Sequence, residues 1–230
     1  MYPYVVADIG GTNARFALVT GKSDQQFNFE EIQILNGKGF SSFEEALNTY
    51  ISSLPNVKPK AVCAAIAGPV SNGQVQMTNL SWAFSCQDIA KKFGFSHFLA
   101  MNDFGAVAAA ASQITAKNLV NIKSGQAEAN ANKVVFGPGT GLGVAGVIHN
   151  QGSWSPLPSE GGHVNIAPAT TPESDIIKAA MSTHGHVSAE VFISGPGLVN
   201  LYKALAAVRG ETAEGFEPSE ITAKALDKSD

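Results

Sequence analysis

Hydrophobic and polar residues change their spacing several times along this chain, and each change marks an element. Apolar residues at 4–8 and 14–20, separated by Gly10 and Gly11, predict two strands joined by a turn too tight for side chains. A third strand is expected over 29–35, where Phe29, Ile32, Ile34 and Leu35 carry the apolar content. The period then becomes helical. Phe43, Leu47, Tyr50, Ile51 and Leu54 share one face, overlapping capping boxes pair Ser41 with Glu44 and Ser42 with Glu45, and Pro55 and Pro59 stop the segment. The nearly all-apolar run 61–67 predicts a strand buried on both faces. Asn72-Gly73 between Val70 and Val75 is a hairpin signal. Ser85 caps a predicted helix through Phe93, a strand follows over 95–101, and an alanine-rich helix over 104–112.

The pattern then restarts. A strand at 133–136, a glycine turn at 137–141, a strand at 142–149, a turn at 150–152 and a short strand at 153–157 repeat the opening of the first half. Asp8 has no counterpart before the second turn, so the repeat is one of structure and not of chemistry. Helices are predicted after Thr171-Pro172, from Ser188, over 196–208 and from Ser219. The expected division is a small α/β domain over 1–112 and a second α/β domain over 113–230. The second copy never reaches paired buried strands like those of the first, so it is expected to be incomplete in this chain.

With 230 residues, 44% of them hydrophobic and 15% charged, one large domain or two small ones can form. Fifteen basic and 19 acidic residues leave a net charge of -4 with no basic block, which argues against nucleic acid as a partner. The longest apolar run, 104–111, is too short to span a membrane, and the first residues lack the basic segment of a signal peptide. Cys63 and Cys86 stand alone. Without a C-x-x-C pair they suit buried thiols in a reducing cytosol, not a disulfide framework.

The turn at 8–13 presents consecutive backbone N–H groups, a concavity that suits phosphate oxygens. Asp8 at its mouth would need a cation shared with the anion, and nucleotide-bound magnesium is the usual one. A plain Gly-Gly hairpin is the alternative, as it is for the turn at 137–143. Facing each other across a cleft, the two turns would hold a nucleotide's phosphates from both sides. Gly141-x-Gly143-x-x-Gly146 matches a dinucleotide fingerprint but runs into a strand-like stretch, which excludes that reading, and there is no Walker lysine. Asn102-Asp103 falls between a predicted strand and helix, where Asp103 is either a cap or a general base at the carboxyl end of a buried strand. Glu160, His163, His186 and Glu190 suit a polyhydroxylated ligand. A structural role for His186, and a zinc site from His184, His186 and Glu190, are the competing readings. Asn79-Leu80-Ser81 matches a glycosylation sequon that has no meaning in a cytosolic chain.

Seven ordered stretches carry a resemblance: residues 8–15 (Asp-Ile-Gly-Gly-Thr-Asn-Ala-Arg), Met77-Thr78-Asn79 with Trp82-Ala83-Phe84-Ser85, Phe95-Ser96-His97 with Asn102-Asp103-Phe104, Gly139-Thr140-Gly141-Leu142-Gly143-Val144, Glu160-Gly161-Gly162-His163-Val164, Gly185 to Glu190, and Ser194 to Tyr202. Together they resemble the bacterial glucokinases outside the ROK branch, within the hexokinase, heat-shock-protein and actin superfamily. The resemblance implies an α/β fold of duplicated ribonuclease-H-like (actin-like ATPase) domains around a cleft. It also implies ATP-dependent phosphorylation of glucose at its 6-hydroxyl, at the entry to glycolysis, with Mg2+ as cofactor. By it, Asp103 is the catalytic base, and Asn102, Glu160, His163 and Glu190 hold the sugar. Asp8, Ile9, Gly10, Gly11, Thr12 and Asn13 form one ATP phosphate loop and Gly139, Thr140 and Gly141 the other, with Asp8 near magnesium through water. A cytoplasmic homodimer binding glucose and ATP is implied as well. ROK relatives carry a cysteine-rich zinc motif, and two isolated cysteines argue against that branch. Family members continue past the equivalent of Asp230 with a segment that completes the large domain, so an impaired ATP site is an expectation for this chain. The alternative function is a non-catalytic sugar-binding or regulatory protein on the same scaffold. Such regulators would carry a DNA-binding extension, and this sequence opens directly on its first strand. Selectivity among glucose, mannose and glucosamine depends on side-chain placement and stays open at this level.

Overall fold

The computed structural model describes residues 2–23, 26–77, 79–111 and 113–227. Thr78 of the quoted motifs, and Ser112 at the expected end of the alanine-rich helix, lie outside the described residues. The chain divides into two units, Met1–Ala110 and Ala111–Asp230.

In the first unit β1 (Tyr4–Ile9), β2 (Asn13–Ser23) and β3 (Gln26–Asn36) precede α1 (Phe43–Ser53) and β4 (Ala61–Ile66). Then come β5 (Val70–Ser71), β6 (Gln74–Gln76), β7 (Ala83–Ser85), α2 (Cys86–Phe93), β8 (His97–Asn102) and α3 (Asp103–Ala111). The main sheet has the order β3-β2-β1-β4-β8. The first three strands run antiparallel, while β4 lies parallel to both β1 and β8. The short strands β5, β6 and β7 form a separate antiparallel sheet.

One face of the main sheet carries the core. Val5, Ala7 and Ile9 of β1 and Val62, Ala64 and Ile66 of β4 pack with Phe43, Ala46, Leu47 and Tyr50 of α1. Phe43 is its hub, with ring centroids 4.5 Å from Phe84, 5.6 Å from Phe98 and 6.2 Å from Phe16 and from Trp82. The expectation that β4 is buried on both faces holds for one face only, since Ala61, Cys63 and Ala65 are half-buried. Three further elements differ from the sequence reading. β3 is longer than expected because β2 continues to Ser23 and pairs along its length, with the apolar Ile32 (67% exposed) and Ile34 (62%) on an uncovered edge strand. β8 starts two residues late because Phe95 N–H closes the left-handed Gly94 cap of α2 onto Ala90 O. Ala83–Ser85, where only the Ser85 cap was expected, is strand β7.

In the second unit β9 (Lys133–Pro138), β10 (Leu142–Asn150) and β11 (Ser153–Ser159) form an antiparallel sheet of order β11-β10-β9. Helices α4 (Thr171–His184), α5 (Ala189–Phe192), α6 (Gly195–Arg209) and α7 (Pro218–Asp227) follow. A full capping box at Thr170 and Glu173 starts α4. The helix expected from Ser188 is only the four residues of α5, because Ser194 caps a new helix by accepting from Gly197 N–H. Ala180, Val187, Phe192 and Ala204 form the core between these helices.

Candidate functional sites

In the first unit the register aligns the carboxyl ends of three parallel strands, pairing Ile9 with Ile66 and Ile66 with Asn102. Ligands of open α/β sheets bind at this edge. Asp8 reaches it from β1, and its Oδ2 accepts from Nη1 of Arg15 at 2.8 Å. The turn after β1 is closed by Gly10 N–H donating to Asn13 O (2.9 Å) and held from outside by Gly37 N–H donating to Thr12 O (2.8 Å). A Cβ on Gly11 would come within 2.8 Å of the Cβ of Asn79, so the turn's second glycine lets that side chain seat against it.

Asp103 is the first residue of α3. The capping falls instead to Asn102, whose Oδ1 accepts from Phe104 N–H (3.0 Å) and Gly105 N–H (3.3 Å) while its amide donates to Gly68 O at 3.5 Å. Asn102 thereby ties the end of β8 to the end of β4. Asp103 Oδ1 also accepts from Phe104 N–H, at 2.8 Å. Burial pushes the Asp103 carboxyl above the ordinary aspartate range, the Phe104 N–H draws it back, and the charge of Asp8 raises it again. Burial likewise raises the Cys63 and Cys86 thiols, which disfavours their nucleophilic thiolate form.

In the second unit Gly139–Gly141 connects β9 to β10, with Pro138 paired to Leu142. Residues 164–166 bond to 187–189, through Ile166 N–H to Val187 O and Ala189 N–H to Val164 O. This pairing sets the single 3-10 turn Gly161–His163 beside α5. Glu160 and Glu190 then flank His163, with Oε2 of Glu160 3.8 Å from Nε2 and Oε1 of Glu190 3.6 Å from Nδ1. Glu160 is open to solvent and Glu190 is largely covered. Oε2 of Glu190 accepts from Leu142 N–H at 2.7 Å. A Cβ on Gly162 would lie 2.0 Å from Leu142 O, so only glycine lets the 3-10 turn approach β10.

Within the first unit, then, Asp8, Asn102 and Asp103 share one sheet edge; within the second, Glu160, His163 and Glu190 form one cluster next to the 139–141 turn. His186 meets that cluster only at the backbone of His163. Its Nε2 lies 3.1 Å from His163 O and links the two paired segments. Among the described residues no three His, Cys, Asp or Glu side chains converge as a metal site. Sequence reasoning quoted Arg15 without giving it a role. The available signal was its place directly across the hairpin from Asp8. The bond from Leu142 to Glu190 had no signal, because it joins residues 48 apart.

Residues 5–230 match the family profile of the glucokinases. The chain is 59% identical over 230 residues to the glucokinase of Saccharophagus degradans, spanning 100% of this chain and 72% of that protein. The crystal structure of a glucokinase from an Antarctic psychrotroph aligns with a TM-score of 0.90 at 40% identity, over 100% of this chain and 72% of the other. At 17% identity, a ROK family glucokinase from Streptomyces griseus, solved with glucose and AMPPNP, shares the fold with a TM-score of 0.56 over 98% of this chain and 72% of that one.

Proposed function

The chain belongs to the glucokinase family, and on that premise we propose that it transfers the terminal phosphoryl group of ATP to the 6-hydroxyl of glucose, giving ADP and glucose 6-phosphate. The observation that carries the reading is Asp103, a half-buried carboxyl on the strand-end edge that Asp8 also reaches. An alcohol needs a nearby carboxylate to take its proton as the phosphorus–oxygen bond forms, and a raised pKa brings that base closer to working pH. Asp103 fills that role.

The remaining residues bind and orient. Glu160, His163 and Glu190 hold sugar hydroxyls, and Asn102 fixes the backbone on which Asp103 stands while its second amide hydrogen serves the sugar. The turns at Asp8–Asn13 and Gly139–Gly141 donate backbone N–H groups to phosphate oxygens. Asp8, with one oxygen on Arg15 and its side chain 54% exposed, fits a cation held mostly by phosphates and water. Magnesium bound there neutralises phosphate charge. We read the two units as divergent copies of one ribonuclease-H-like domain, 1–112 and 113–230. The support is the matching antiparallel orders β3-β2-β1 and β11-β10-β9. A cytoplasmic homodimer completes the proposal, supported by its two free thiols and by the resemblance.

Glucose-dependent ADP release from MgATP, measured for the chain and for Asp103→Ala, tests the reading. Release that disappears in the variant is expected. A variant that keeps its rate would leave Asp103 a helix-start residue and sink the mechanism.

A further inference from the structure

Resting on that reading, we infer that Glu190 is also the positioning residue of the second phosphate loop, one carboxylate that ties the sugar cluster to the turn at 139–141. Its two oxygens face different parts of the site. Oε2 takes the Leu142 N–H at 2.7 Å, at the point where the turn enters β10, while Oε1 faces His163 Nδ1 at 3.6 Å. A charged acceptor makes the first contact stronger than an ordinary backbone hydrogen bond.

The turn is shaped to receive this carboxylate. A Cβ on Gly141 would stand 2.5 Å from Oε2, so any larger residue there would push the carboxylate out of its place. The other end of the turn is held by the same segment, because Gly195 N–H donates to Gly139 O at 2.8 Å. Residues 190–195 therefore clasp the loop at both ends. Ser194 stiffens the clasp, its Oγ donating to Glu190 O and accepting from Gly197 N–H, each at 2.9 Å.

A sugar hydroxyl bound at Oε1 draws on the same carboxylate that orders the loop. Coupling of this kind is reciprocal, so changes on either side register on the other. Glu190→Ala removes both contacts. Glu190→Gln keeps an amide oxygen able to accept from Leu142 N–H but loses the charge that the hydroxyls and His163 meet. Gly141→Ala attacks the contact from the loop side: its Cβ displaces the Glu190 carboxylate and meets neither Glu160 nor His163.

Calorimetric titration of the full chain with glucose alone and AMPPNP alone separates these cases. Glu190→Ala is expected to weaken both ligands, each about tenfold. Glu190→Gln should recover AMPPNP affinity and not glucose affinity, and Gly141→Ala should weaken glucose as well as AMPPNP. If Glu190→Ala weakens glucose while AMPPNP binds as before, Glu190 is a sugar ligand only and the inference fails, with the kinase reading intact. Binding of neither ligand by the unsubstituted chain overturns the kinase reading instead. Amide exchange at Leu142 in the ligand-free chain then still decides the clasp: slow exchange that becomes fast in Glu190→Ala upholds it, and fast exchange in the unsubstituted chain overturns it.

Discussion

Arg15 on β2 and Asp8 on β1 stand directly opposite each other and join across the pair, Nη1 to Oδ2, at 2.8 Å. Both side chains are about half exposed, 49% and 54%, so the pair is screened by water and contributes about 1 kcal/mol or less to stability. On the proposed function its value lies in orienting Asp8. Arg15→Leu is expected to leave the melting temperature almost unchanged and to lower kcat/KM for MgATP by roughly tenfold or more. A variant with a lowered melting temperature and normal kinetics would reverse that assignment.

Asp103→Asn should separate activity from stability. Ionising a carboxyl that burial has pushed up costs the folded state. That cost is absent below the unfolded carboxyl pKa, grows as pH rises toward the folded pKa, and is fully present above it. At neutral pH the uncharged variant should melt higher than the parent, with the difference shrinking toward pH ~3. Turnover should fall about 10²- to 10⁴-fold. In the parent, kcat should drop on acidification through a pKa above the usual aspartate value. Melting scans and rate profiles across pH check both signs.

Tyr50 is fully buried, stacks on Phe16 with ring centroids 5.1 Å apart, and donates its hydroxyl to Glu31 O at 3.0 Å. Burial pushes its pKa up to about 12, so it stays protonated throughout the working range. Glu31 sits at φ 49°, inside the irregular pairing of β3 with β2. Tyr50→Phe should cost about 1 kcal/mol in denaturant unfolding and leave both KM values in place.

Gly162→Ala should be far more damaging. The added Cβ meets a backbone carbonyl, which cannot swing aside as a side chain can. About 3 kcal/mol of destabilisation is expected, together with loss of glucose binding, because the displaced turn carries Glu160 and His163. Unfolding curves and glucose titration of the same sample would show whether the two losses coincide.

Local chemistry was the legible part of this fold. Ser42, Ser85, Thr170 and Ser194 each accept from a backbone N–H three residues on, as short-range capping patterns specify. Even there, two overlapping boxes could not be ranked: Ser42 caps α1, but the Glu45 carboxylate reaches back to Ser41 and not to Ser42. The strands that carry Asp8 and Asn102 were readable from apolar runs, and the glycine turns from composition. Contacts across long sequence separations were not. The bulge at Glu31 has no turn residue to announce it, and the exposure of Ile32 and Ile34 depends on what lies outside the sheet, which spacing within a strand cannot encode. The same blindness hid the contact on which the second role proposed for Glu190 rests.

The fully buried large side chains among the described residues, Trp82, Tyr50, Phe16, Phe43, Ile9, Leu18, Leu47, Ile66, Val5 and Val19, belong to the first unit, and only Val147 belongs to the second. Cohesion is thus uneven along the chain, and subglobal opening should begin in the half that carries Glu160, His163 and Glu190. On the proposed function, that half is a ligand-cemented element. Sugar at a hundred times its dissociation constant adds about 2.7 kcal/mol to whatever state binds it, enough to bring the softer half closer to the cohesion of the aromatic half, so that substrate supply also governs how long the enzyme survives.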